Sequence, residues 1–169
     1  MTIDHGGEKK AILQIRDSSD SYPGCAQVTF HGKMERDHYG ELEQFVDGLR
    51  RELYEEAHEL FKRASLMPNS ALFSRFRDFP EMQIASCIRN KKQQVVTLLC
   101  HINDPELYDQ IKPLFDAGVL RLVGEDDLDN LCAIEKGNAA QKQYGMGDGL
   151  IGMHADEFEV VQSVLTEQE

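Results

Sequence analysis

Residues 42–64, LEQFVDGLRRELYEEAHELFKRA, decide the fold class of this chain. Leu42, Phe45, Val46, Leu49, Leu53, Ala57, Leu60, Phe61 and Ala64 recur at spacings of 3, 4 and 7, the pattern of one long amphipathic helix. At 3.6 residues per turn they fall within about 80° of a common direction, so one apolar stripe runs the whole length. Gly48 weakens the helix by about 1 kcal/mol relative to Ala without interrupting the stripe. Met67-Pro68 ends it, and Asn69 caps a short second helix carrying Leu72, Phe73 and Phe76.

On both sides of this helix the period changes to two. Residues 10–17 place Ala11, Leu13 and Ile15 on one face, and 25–33 do the same with Ala26, Val28 and Phe30. The turn-rich SSDSYPG between them predicts that the two pair back as a hairpin. Residues 82–89 and 93–102 flank Asn90-Lys91-Lys92 and predict a second hairpin, its second strand nearly continuous in apolar residues. Farther on, a helix starts at Asn103 or Asp104 with Pro105 in its first turn and ends at Ala117-Gly118, with Pro113 predicting a kink or an early stop. A strand over 119–123, a helix from Gly124 to about Lys136, a glycine-rich loop over 145–152 and a final helix over 156–166 complete the order.

This order lacks the strict alternation of a doubly wound sheet. It predicts an α+β domain with two antiparallel hairpins packed against the long helix and a helical, acidic C-terminal part. The expected core joins Leu13, Ile15, Val28, Phe30, Phe45, Leu49, Leu53, Phe61, Ile84, Val96 and Leu98. At 169 residues the chain fits one domain over 1–169, with sub-units 1–66 and 67–169 as the alternative division.

With 41% hydrophobic and 28% charged residues the chain belongs with folded globular proteins rather than disordered ones. Residues 1–10 lack the apolar core of a signal peptide, and no run is long enough for a membrane span, so a soluble cytoplasmic protein is expected. Cys25, Cys87, Cys100 and Cys132 form no C-x-x-C pair and read as free structural thiols. The net charge of −12 is unevenly placed. Residues 1–92 hold 14 Lys/Arg against 15 Asp/Glu, whereas 93–169 hold 4 against 15.

Most motifs fail on their context. Glu35-x-x-His38 and Glu55-x-x-His58 have the ligand spacing of carboxylate-bridged di-iron bundles, but on one helix twenty residues separate them by about 30 Å. Gly147-x-Gly149-x-x-Gly152 matches a dinucleotide fingerprint in letters. With only 17 residues after it there is no room for the following helix, strand and ribose-binding acid. Glu125-Asp126-Asp127-Leu128-Asp129 lacks the alternation and central glycine of a calcium loop. Cys100 and His101 are adjacent in a strand and point to opposite faces, so this His cannot serve this Cys as a base. No cofactor or metal is expected from these patterns.

Three functions remain. The first is a non-catalytic interaction or regulatory protein, with a protein partner or self-association through the acidic C-terminal half and the basic segment of Arg75, Arg77, Arg89, Lys91 and Lys92. The second is an enzyme whose site assembles from Cys100, His101, Asp104 and His154. The third is a nucleic-acid-associated module using the same basic segment 75–92, against which the net charge counts. The residues favour the first.

Overall fold

The computed structural model describes residues 1–18, 22–29, 35–36, 39–67, 82–90, 93–102, 105–134 and 150–166; at 45, 46, 49, 82–90 and 93–100 it describes the backbone alone. The described residues form a mixed α/β structure built on an eight-stranded sheet. Its strands are β1 (Thr2–His5), β2 (Glu8–Ile15), β3 (Ala26–Val28), β4 (Met82–Asn90), β5 (Gln93–Ile102), β6 (Leu120–Val123), β7 (Leu131–Ile134) and β8 (Ile151–His154). The helices are α1 (Phe45–Arg63), α2 (Pro105–Asp116) and α3 (Ala155–Thr166), with a 3-10 turn over Glu125–Asn130. No helix among the described residues is long and apolar enough to cross a membrane.

β2 is the trunk of the sheet. Ala11 stands between Thr2 of β1 and Val123 of β6, and Leu13 between Val28 of β3 and Arg121 of β6. One edge of β2 therefore belongs to β6, and the other is shared end to end by β1 and β3. From that shared edge the sheet forks into two limbs, β1-β5-β4 and β3-β8-β7. The fork is stitched at Ile12, whose N–H donates to the Met1 carbonyl at 2.9 Å and whose carbonyl accepts from Thr29 Oγ1 at 3.0 Å.

The β2–β3 and β4–β5 pairs are antiparallel, with an irregularity in the second between Ile84 and Ser86. The sheet as a whole is mixed, because β1–β5, β3–β8 and β7–β8 run parallel. β1 was not visible in the polar start of the sequence. It turns into β2 through Gly6-Gly7, both at positive φ (67° and 84°), the conformation that a two-residue hairpin turn requires.

Both faces of the trunk are covered, so its alternation separates two cores. Ile12 joins Ile3, Ile102 and Leu120 beneath Ala57, Leu60 and Phe61 of α1 and Leu107, Ile111 and Leu114 of α2. Ala11 and Leu13 join Ala26, Val123, Ile151 and Met153 beneath Val161 and Leu165 of α3. The long helix thus shares its face of the sheet with α2. Leu13, Leu53 and Phe61 are buried as expected, while Ile15 and Val28 are partly buried. Phe30 lies outside the described residues, and the side chains of Phe45, Leu49, Ile84, Val96 and Leu98 are not described.

Several boundaries differ from the sequence reading. α1 begins at Phe45; Leu42 lies outside it, 51% exposed and bridged to Arg36. α2 continues past Pro113 to Asp116: the proline removes only its own bond to the preceding turn, and its carbonyl still accepts from the Ala117 N–H at 3.0 Å. The expected helix from Gly124 to Lys136 is only the 3-10 turn, after which Leu131–Ile134 is strand. The end of the expected glycine loop is also strand, Ile151–His154, lying parallel to β7. The short helix expected after Asn69 lies outside the described residues.

Candidate functional site

The feature richest in chemistry is the face of the β2-β3-β8-β7 limb turned away from α3. With Ala11 and Leu13 in the α3 core, Ile12, Gln14 and Arg16 project to the other side. Gln14 stands opposite Gln27, and the Arg16 N–H donates to the Cys25 carbonyl at 2.9 Å. β8 runs parallel to β3 with Met153 beside Ala26, and β7 pairs Cys132 with Gly152 and Ile134 with His154. Two rows result across the strands: Gln14, Gln27, His154 and Ile134 in one, Arg16, Cys25, Gly152 and Cys132 in the next.

This face is polar yet enclosed. Gln14 and Gln27 are each 5% exposed and Cys25 is 2% exposed. Gln14 Oε1 and Arg16 Nε are shut off from solvent without a hydrogen-bond partner. Leaving such a group unpaired costs about 1–3 kcal/mol, so evolution seldom leaves one without cause. Asp17, next to Arg16, pairs instead with Arg63 at 3.4 Å, and no carboxylate among the described residues is ion-paired with Arg16. The Tyr22 ring meets His154 edge-on at 5.2 Å. Burial pushes the Cys25 thiol up, with the Arg16 guanidinium opposing that shift. Cys25 and Cys132 are both free thiols, two strand spacings (about 9.5 Å) apart across β8 and too distant to join as a disulfide.

The opposite layer is acidic. Residues 124–134 and 155–166 contain seven Asp/Glu and no Lys or Arg. Glu125, Asp126, Asp129, Asp156 and Glu159 are exposed. The other two do internal work: Asp127 accepts from the Gly124 N–H at 2.8 Å, and Glu157 accepts from the Val28 N–H at 2.9 Å. Lys10 reaches this layer from β2, its stem lying where a side chain at Gly124 would stand. Its hydrogen bond to Glu8, reinforced by Asp127 and Asp126 and opposed by burial, raises the ammonium above its ordinary range.

A third charged feature corrects the sequence reading of the two E-x-x-H motifs. Glu35 and Glu43, from outside α1, reach back to its Arg51, so Glu35 and Glu55 both meet that guanidinium, at 3.8 and 3.1 Å. They are not separated by the length of a helix. Glu43 grips the same guanidinium with both oxygens, at 2.7 and 3.3 Å, and Glu52 adds a fourth carboxylate at 2.9 Å. Here a guanidinium occupies the place between carboxylates that a metal pair takes in the bundles. His58 is exposed and His38 lies outside the described residues. No cluster of metal-ligating side chains is found among the described residues.

Of the basic segment, Arg75, Arg77, Lys91 and Lys92 lie outside the described residues, and Arg89 is seen only as backbone opposite Gln94 in β4. Of the assembled-site group, Asp104 lies outside them and Cys100 has only its backbone described. His101 bonds through Nδ1 to Thr2 Oγ1 at 3.1 Å and faces Asp4 through Nε2 at 3.6 Å. A hydroxyl, an imidazole and a carboxylate are thus in line, but in the wrong setting for nucleophilic catalysis. Thr2 is 2% exposed, out of reach of a substrate, while the Asp4 side chain is 72% exposed. His154 belongs to the other limb, beside Tyr22. Gly152, the last glycine of the apparent fingerprint, is a buried strand residue, and Gly147 and Gly149 lie outside the described residues.

Compared with protein-family models, with curated proteins and with solved structures, the chain finds no match in any of the three. The buried Gln14 and Gln27 and the half-buried Arg16 escaped the sequence reading because polar residues alternating with apolar ones read as a solvent face. The usable signal was Gln14 within a strand whose neighbours Ile12 and Leu13 are both large and apolar.

Proposed function

We propose that this is a non-catalytic interaction or regulatory protein, acting as a single cytoplasmic domain whose acidic C-terminal half meets a basic surface on a protein partner or on a second copy of itself. The observation that carries this reading is the layer formed by α3 and the 3-10 turn. Five exposed carboxylates stand there without a Lys or Arg from their own segments. Such a field speeds encounter with a cationic surface and repels phosphate backbones. For self-association the complementary surface is the segment of Arg75, Arg77, Arg89, Lys91 and Lys92. The enclosed hydroxyl of Thr2 speaks against the one His-centred arrangement suited in its atoms to catalysis.

Sedimentation velocity of the full chain tests the proposal, alone and with a synthetic peptide of residues 69–92, at about 20 mM and about 300 mM salt. Self-association or peptide binding should be present at low salt, weaken at high salt, and disappear in the D126K/D129K/D156K/E159K variant. A chain that stays monomeric and ignores the peptide at low salt overturns the reading, as does equal binding by the charge-reversed variant.

A further inference from the structure

We propose that the enclosed face of β2, β3 and β8 is a binding site for a small organic acid. Its carboxylate sits on the Arg16 guanidinium, and a hydroxyl or amino group beside that carboxylate donates to Gln14. The site is separate from the acidic layer, which lies across the sheet.

The argument starts from two groups that the fold leaves unanswered. Gln14 Oε1 is an enclosed acceptor without a donor, and Arg16 Nε is an enclosed donor without an acceptor. They are two residues apart on one strand, so their side chains rise from the same face about 6.8 Å apart. A molecule of a few heavy atoms that carries an acceptor and a donor on adjacent carbons answers both. Its charge follows from Arg16. In a chain with 30 acidic and 18 basic residues a counter-ion is easily supplied, yet the neighbouring Asp17 is committed to Arg63. The half-buried Arg16, with its Nε–H shut off from solvent and without an acceptor, is poised for an anion that arrives from outside.

Two features narrow the anion to a carboxylate. A guanidinium edge matches the planar fork of a carboxylate, and the single charges cancel. A phosphate dianion would bring more charge than one arginine balances, and the described rows of this face contain no lysine and no second arginine. The neighbouring positions give the site its walls. Gln27 stands opposite Gln14, and Gly152 leaves the next row bare of a side chain between Cys25 and Cys132. His154, in the row of Gln14 and Gln27, meets the Tyr22 ring edge-on.

The test is a titration of the full chain with glycolate, L-lactate, glycine and L-alanine, with acetate and inorganic phosphate as comparisons. It is followed by thermal unfolding and by the NMR signals of the arginine Nε–H groups. At least one of the four α-substituted acids should raise the melting temperature saturably and move the Arg16 Nε–H signal, binding at least about tenfold more tightly than acetate, which lacks the donor. Arg16→Lys, which keeps the charge and loses the fork, should weaken that binding by about ten- to a hundredfold. Gln14→Met separates a binding role from a structural one. It should raise the melting temperature of the ligand-free protein by removing an unanswered acceptor, and lower affinity for the α-substituted acid to that for acetate. The proposal is overturned if no acid moves the Arg16 signal, if phosphate binds more tightly than all four acids, or if Gln14→Met destabilises the free protein.

Discussion

Ser65 offers the most direct test of how this chain ends its long helix. The Leu66 N–H donates to the Phe61 carbonyl at 2.9 Å and the Ser65 N–H to the Lys62 carbonyl at 3.0 Å, the paired bonds of a Schellman motif. Leu66 and Phe61 also pack in the same core, the apolar contact that accompanies this motif. The motif needs a left-handed residue at its turn, and Ser65 supplies it at φ 56°. An L-residue with a β-carbon pays about 1–2 kcal/mol there. Glycine avoids that strain and gives back about 0.5–1 kcal/mol through its greater freedom in the unfolded chain. Ser65→Gly should therefore stabilise the protein by about 0.5–1 kcal/mol, or about 1–4 °C in melting temperature for a domain of this size. The same motif ends α2, where Gly118 stands at φ 70° and its N–H and that of Val119 reach the Phe115 and Leu114 carbonyls at 2.9 and 3.0 Å. A β-carbon at Gly118 would meet nothing within 4 Å, so Gly118→Ala isolates the backbone cost. It should destabilise by a similar amount, opposite in sign. Urea melts of the wild type and both variants should show shifted midpoints at unchanged slope. If Ser65→Gly is neutral or destabilising while Gly118→Ala behaves as expected, the left-handed ending of α1 is wrong.

Three further outcomes follow from individual groups. Alkylation of the native protein followed by peptide mapping should find Cys132 modified well before Cys25, whose enclosed thiol is also pushed up by burial; equal rates would contradict the placement of Cys25. Arg51 and the Glu35 N–H hold the Glu43 carboxyl below its ordinary range, so the unfolded state binds the proton more readily. The resulting stability is present above the unfolded value near pH 4 and is lost as pH falls through the lower folded one, and Glu43→Gln should flatten the urea-midpoint profile below about pH 4. Removal of the Glu157 acceptor in Glu157→Ala leaves the Val28 N–H without its partner and should cost about 1–3 kcal/mol, whereas Glu157→Gln, keeping a carbonyl oxygen, should cost less in the same melts.

What the sequence revealed depended on whether a signal was local. The 3.6-residue stripe from Leu53 to Phe61 and the alternation from Ala11 to Ile15 are complete within one element, and both elements are present. The partner of a parallel strand is not local: Ala26 pairs with Met153, 127 positions away, and no turn residue announces it. Four-residue strands such as Leu131–Ile134 and Ile151–His154 are too short to display a period. The first follows four acids that resemble a helix start, and the second begins at the end of a glycine-rich stretch. The enclosed polar face was hidden for a different reason. Alternation shows that Gln14 and Arg16 share a face, but only the coverage of β2 on both sides shows that the face is not wet.

The forked sheet also sets the order in which this chain can be completed. β2 (Glu8–Ile15) is translated long before β6 (Leu120–Val123), its partner along one edge, and its β3 limb closes only with β7 and β8, from 131–154. Loop closures over such separations are slow, and until they occur the apolar side chains of the trunk have neither core to enter. A strand made well before its partners is therefore enclosed only after they follow, and until then the nascent chain carries Ile12 and Leu13 unprotected.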